Sequence, residues 1–263
     1  MMQRWVSLLL GLALLGPCVS AAEPARLRVC ADPNNLPFSD RERRGFENEL
    51  ASLLAKDTAK RLDYTWWAQR RGAIRSTLKA GLCDVVIGVP TSLDLLATTK
   101  PYYTSTYVFV SRADRGLDVR SFDDARLRSL RIGVQLVGDD YANTPPVSAL
   151  SARHIVDNVR GYSVLGDYGH ELPAAGILSA VTAGEIDLAV VWGPLAGYYA
   201  RKSAVALQLA PTPAVDGEIP LRFAIGMGVR RDDVARLAQL NAFITRRQPD
   251  IDALLARYGV PRP

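Results

Sequence analysis

Histidine is almost missing from this chain: only His154 and His170 occur among 263 residues. That scarcity weighs against histidine-based metal sites and against serine or cysteine nucleophiles that rely on an imidazole base. His154 sits beside Arg153 at a helix end and His170 in a polar loop, both ordinary surface settings. No Gly-x-Ser-x-Gly, His-Glu-x-x-His or phosphate-cradling glycine loop occurs, so the chain is not expected to be an enzyme. Cysteine is scarce as well, with Cys18, Cys30 and Cys83. Adjacent carboxylates occur at Asp139-Asp140, but two aspartates fall short of the six or so oxygens a calcium-type ion requires. Neither a metal site nor a cofactor is therefore expected in the chain itself. Basic residues are scattered and no nucleic-acid motif accompanies them, which excludes a nucleic-acid partner. After the first 22 residues no apolar run reaches spanning length, which excludes membrane insertion of the rest.

What is present begins with a leader. Arg4 gives a basic start, Trp5 to Leu15 an apolar run, Pro17 a break, and Val19-Ser20-Ala21-Ala22 small residues for cleavage. Residues 1–22 read as a secretory signal peptide, so the mature chain is expected to be soluble and exported. Cys18 follows Leu15-Gly16-Pro17, but a proline before the cysteine fits a lipoprotein box poorly. The full chain is 48% hydrophobic and 22% charged, enough for one large core or two small ones. A formal charge of +5 suits solubility, or attraction to an acidic protein. Cys30 and Cys83 are left after cleavage. Export favours a disulfide between them. Parallel register opposes it, because Cys30 ends its strand while Cys83 begins one, and beyond about 7 Å no bridge forms. The pairing is left open.

The mature chain starts with a strand, Leu27 to Cys30, and then Ala31-Asp32-Pro33-Asn34-Asn35-Leu36-Pro37-Phe38, which neither strand nor helix can cross. A loop leaving the carboxyl end of the first parallel strand lies where open α/β sheets bind their partners. Phe46, Leu50, Leu53 and Leu54 recur at helical period, Leu62 to Trp67 is strand-like, and Ile74 and Leu78 mark a helix stopped by Gly81. The run Cys83-Asp84-Val85-Val86-Ile87-Gly88-Val89 reads as a strand covered on both faces. A strand from Tyr107 to Val110 leads into patternless Arg112 to Arg128. A second series follows: strands at 131–135, 159–163 and 186–191, and helices at 145–152, around 177–181, and from Trp192-Gly193-Pro194 to Ala200. Leu221 to Val229 is strand-like, and two helices follow, the second starting at Pro249. The βα plan occurring twice predicts an α/β protein of two lobes joined by a two-strand hinge. Lobe one comprises 23–110 and 222–263, and lobe two 111–221.

The ordered motifs Asp32-Pro33-(x)-(x)-(x)-Pro37-Phe38, Gly45-Phe46-Glu47, Gly81-(x)-Cys83-Asp84 and Pro101-Tyr102-Tyr103 resemble the periplasmic solute-binding proteins of polar-amino-acid transporters. The resemblance implies a periplasmic-binding-protein-like fold of type II and a periplasmic location. A denser set resembles a subgroup: quinoprotein-dehydrogenase-associated proteins that look like solute-binding proteins, including the J-type accessory proteins of methanol dehydrogenases. It comprises Leu27 to Ser39, Cys83 to Pro90, Thr99 to Tyr103, Gly161-Tyr162-Ser163, Val191 to Tyr198 and Tyr258-Gly259-Val260-Pro261. It implies a non-catalytic accessory that assists or activates an alcohol or methanol dehydrogenase carrying pyrroloquinoline quinone (PQQ) and calcium or a lanthanide. The enzyme is then the expected partner, with its cytochrome c as a further candidate.

Amino-acid binding needs an arginine fork for the carboxylate and an acid for the ammonium. In the transporter family the arginine follows the third strand; here that stretch is Pro90-Thr91-Ser92-Leu93-Asp94-Leu95. Trp192 stands where the family's acid is usual. Arg70 or Arg71 could substitute for the missing arginine. The residues expected to face the cleft, towards a ligand or a partner, are Asp32, Asn34, Asn35, Phe38, Phe46, Arg70, Pro90, Thr91, Trp192, Gly193 and Tyr198. Asp32 has an equal claim to capping nearby backbone N–H groups. The alternative function is a transporter's solute-binding protein for a small uncharged or aromatic ligand; whether a small ligand binds is left open.

Overall fold

The computed structural model describes residues 25–69, 72–137, 142–163 and 173–262. The leader, Arg70, Asp139-Asp140 and His170 lie outside them.

The first apolar series builds a parallel unit. Strand β1 (Arg26–Ala31) is followed by helix α1 (Phe46–Asp57), strand β2 (Arg61–Trp66), one helical turn α2 (Ala73–Ser76) and strand β3 (Val85–Pro90). β1 lies between β2 and β3, parallel to both. Helix α1 forms because Phe46, Leu50 and Leu54 share one buried face, with Glu47 and Glu49 in its first turn and Lys56 in its last.

Strand β4 (Tyr103–Arg112) begins earlier than the apolar pattern suggests. Its first turn of sequence is Thr104-Ser105-Thr106, and Ser105 and Thr106 are nonetheless fully buried. Their hydroxyls donate to the Pro261 and Leu221 carbonyls, which removes the cost of burying them. The second series gives β5 (Ile132–Val137), α3 (Pro145–Ser151), β6 (Val159–Ser163), α4 (Gly176–Thr182), β7 (Leu188–Trp192) and α5 (Gly193–Ala200). Strand β8 (Leu207–Pro211) was not anticipated; only Ala210 in it is buried, so it carries no apolar alternation. Strand β9 (Arg222–Val229) returns to the first series, and α6 (Val234–Arg257) closes the chain.

The main path of the sheet runs β6-β5-β7-β4-β9-β3-β1-β2, with β8 added beside β4. β4 and β9 join its two halves. Tyr103 to Thr106 pair antiparallel with Ile225 to Arg222, while Tyr107 to Val110 pair with Trp192 to Ala189. The first half has one main core, in which Phe46, Leu50 and Val85 meet Phe243, Ile244 and Leu255. The second half has cores on both sheet faces, one around Phe109, Phe122 and Leu150, the other around Ile177, Val181 and Val191.

One expectation needs correction, and the open cysteine pairing is resolved. The expected pair of final helices is one helix, with Pro249 inside it. An interior proline costs about 3 kcal/mol. Leu240, Phe243 and Ile244 before it and Ile251, Leu254 and Leu255 after it form one continuous buried stripe on the same core. At about 1.5–3 kcal/mol for each buried side chain, the stripe outweighs the lost hydrogen bond. Cys30 and Cys83 are disulfide-bonded, with Cα atoms 5.5 Å apart. The register argument against the bridge treated Cys83 as a strand residue. β3 starts only at Val85, and the chain bends before it, with the Asp84 N–H donating to the Arg28 carbonyl.

Candidate functional site

A cavity of about 360 Å³ lies where the two halves meet, against the crossing strands. The first half contributes Asn35, Phe38, Glu47, Gln69, Gly88 and Pro90; the second contributes Gln135, Thr144, Pro145, Ala174, Trp192 and Leu195. Tyr103, Tyr107, Phe223 and Ile225 from β4 and β9 complete the wall. No lysine or arginine lines it among the described residues.

Four expected residues line the cavity: Asn35, Phe38, Pro90 and Trp192. Trp192 ends β7 and starts α5. Its backbone N–H donates to the Gln135 side-chain oxygen at 2.6 Å, and its ring meets Tyr107 and Phe223 edge-on at 5.3 and 6.0 Å. That places an indole among rings on both crossing strands. Asn35 donates to the Gln69 side-chain oxygen at 3.2 Å, closing the mouth beside Phe38.

The other expected residues sit elsewhere. Asp32 is buried and accepts from the backbone N–H groups of Asn34 and Gln69 at 2.8 and 2.7 Å. Of its two readings, the turn-capping one describes these bonds. Asn34 pairs with Asp40 behind the loop. Phe46 is fully buried between Phe38, Tyr103 and Tyr258, so it supports the wall without forming it. Thr91 uses its backbone, its N–H donating to the Ala224 carbonyl and its own carbonyl accepting from the Thr98 hydroxyl. A side chain on Gly193 would place its Cβ 2.6 Å from the Thr106 carbonyl oxygen, so this glycine lets α5 lie on β4. Tyr198 is not among the lining residues and stacks on Tyr258, ring centroids 5.8 Å apart.

Sequence reasoning missed Glu47. It is the second residue of α1, it is 7% exposed, and it lines the cavity. A helix N-terminus favours a carboxylate. Burial and then the nearby Asp32 charge nevertheless push its carboxyl well above the usual range. The loop fixes its position: Phe46 and Glu47 donate their N–H groups to the Pro37 and Phe38 carbonyls. Gly88 makes room for it. β3 carries one more residue than β9 here, since Val89 pairs with Gly226 and Ile87 with Met227. Gly88 takes up this bulge with φ +81°, and a Cβ there would lie 1.9 Å from the Glu47 Oε1. An acid following Gly-Phe at a helix start, with a glycine inside an apolar strand, was the available signal.

Residues 27–261 match the model of the bacterial extracellular solute-binding proteins, family 3. Protein MoxJ of Methylorubrum extorquens is 33% identical over 259 residues, covering 92% of this chain and 84% of that protein. Periplasmic binding protein XoxJ from Methylobacterium extorquens AM1 superposes with a TM-score of 0.75 at 35% identity, over 90% of this chain and 99% of the other. MxaJ from Methlophaga aminisulfidivorans MPT superposes with a TM-score of 0.79 at 27% identity, over 90% and 100%. The type II periplasmic-binding-protein fold and the J-type resemblance are both borne out by these matches.

Proposed function

We propose that this chain, which belongs to the bacterial extracellular solute-binding proteins, family 3, is a non-catalytic periplasmic accessory of a PQQ-dependent, calcium- or lanthanide-containing alcohol or methanol dehydrogenase. In this reading it assists or activates that enzyme by docking, with the enzyme and its cytochrome c as partners. Residues 23–110 with 222–263 act as one lobe and 111–221 as the other, around the cleft that Asn35, Phe38, Pro90 and Trp192 line.

The observation that carries the reading is the charge content of the cavity. A free amino acid is a zwitterion and needs two opposite partners. Among the described lining residues the cavity offers one carboxyl, Glu47, and no cation. The binding-protein scaffold is kept, while the described lining residues do not supply the paired charges of a zwitterion. The likeness to MoxJ, MxaJ and XoxJ supports the same direction.

Capture from the periplasm on the immobilised protein tests the proposal. Recovery of the quinoprotein dehydrogenase, and a fall in its activity when the gene is deleted, are the expected results. Recovery of neither quinoprotein nor cytochrome, with unchanged dehydrogenase activity, overturns it. The second reading, a solute-binding protein for a small uncharged or aromatic ligand, is favoured by the ring-lined cavity itself.

A further inference from the structure

Glu47 is the group that accessory docking leaves unused. It lines the cavity, and among the described residues the charge that acts on its carboxyl is the like charge of Asp32. It accepts no hydrogen bond and joins no ion pair among the described residues. An unpaired buried carboxylate costs several kcal/mol, and the bulge at Gly88 leaves the space in which it sits. Among the described residues, the titratable groups that interact with it from neighbouring elements are Asp32, Tyr64, Tyr102 and Tyr103, and none of them is a cation.

Five rings line the same cavity: Phe38, Tyr103, Tyr107, Trp192 and Phe223. Ring faces are electron-rich and attract cations. Part of the polar lining is engaged. Gln135 accepts from the Trp192 N–H, the Asn35 amide donates to the Gln69 side-chain oxygen, and the Thr144 hydroxyl donates to the Gln135 carbonyl. The amide groups left over can serve a polar part of a ligand, while an anion would meet the Glu47 carboxyl.

We propose that the cavity binds a small organic monocation, a substituted ammonium, with its charge against Glu47 and its alkyl groups against Tyr103, Tyr107, Trp192 and Phe223. One acid and a ring wall serve a monocation where they cannot serve a zwitterion. A bound cation stabilises the ionised carboxylate, so binding releases a proton and strengthens as pH rises through the Glu47 range.

Calorimetric titration of the mature protein with choline and with its uncharged isostere 3,3-dimethylbutan-1-ol tests this. Choline is expected to bind at least about tenfold more tightly than the alcohol, a difference of about 1.4 kcal/mol. Its affinity should be higher at about pH 8 than near the ordinary carboxyl range. Glu47→Gln should lose at least about tenfold in choline affinity and leave the alcohol unchanged. Equal affinity for the two probes, no choline binding at millimolar concentration, or undiminished choline binding by Glu47→Gln overturns the proposal. The probe comparison needs no variant, so it stands even if Glu47→Gln misfolds. It also requires no dehydrogenase, so its failure and the failure of the accessory role are separate results.

Discussion

The two halves of the molecule meet in two places that are built in opposite ways. On one side is the cavity, where rings and one carboxyl enclose space. On the other is a seam in which α5 packs on the C-terminal residues. At the seam a Cβ on Gly197 would come within 1.9 Å of the Gly259 carbonyl oxygen. Tyr198 stacks on Tyr258, Arg201 donates to the Ala256 carbonyl at 2.7 Å, and Ser105 donates to the Pro261 carbonyl at 2.7 Å. The seam has backbone against backbone and no space to yield. The cavity has side chains against space and, among the described residues, an acid with no hydrogen-bond or ion-pair partner. Close backbone packing fills the seam, while the cavity is left open.

Breaking the seam is expected to have the largest effect. Gly197→Val should destabilise the fold by about 3 kcal/mol or more, because the neighbouring atom is backbone and cannot rotate away. Urea denaturation measures it, and an unchanged midpoint would show that α5 is free to move off the tail. Removing the Cys30–Cys83 bridge by Cys30→Ala with Cys83→Ala should cost about 2–4 kcal/mol by the same measurement. That bond lies in the first half and away from the seam, so it calibrates the seam against an ordinary covalent tie.

Changing the cavity should act with the opposite sign. A carboxyl whose folded pKa is raised holds its proton better in the folded than in the unfolded chain. The contribution of Glu47 to stability is therefore greatest below the ordinary carboxyl range and is lost as pH rises through its folded pKa. Glu47→Gln removes this loss. It should melt a few degrees above the parent at neutral to alkaline pH and show no such gain near the ordinary carboxyl range. A gain that is the same at every pH would assign the effect to packing instead. The smallest change expected is at Tyr198. Tyr198→Ala removes one stacked pair and should cost about 0.5–1.5 kcal/mol, with choline titration of the cavity unaffected.

Much of the first half was readable because its signals are local. The helical spacing of Phe46, Leu50 and Leu54 and the apolar run into Val85 name their elements without help from distant residues. The cleft was half readable. Trp192, Asn35, Phe38 and Pro90 stand at element ends or in loops, where function concentrates, and they line the cavity. Phe46 and Gly193 occur in similar sequence settings but serve packing. Glu47 was hidden for the converse reason. An acid in the first turn of a helix is ordinary, and the Gly-Phe before it is a weak signal until Gly88, far along the chain, is brought against it.

By itself the amino-acid sequence determined the βα order, the two-part plan and the crossing at β4 and β9, because periodic burial leaves its mark within each segment. Tertiary structure decided the rest. The bend before Val85 brought Cys83 to Cys30 against the strand register. A continuous buried stripe carried α6 through Pro249. The bulge at Gly88 opened space for the Glu47 carboxyl, and that residue belongs to a helix 41 positions earlier in the chain. In each case the outcome depends on which distant surfaces meet, and contact free energy between remote segments leaves no local period to read.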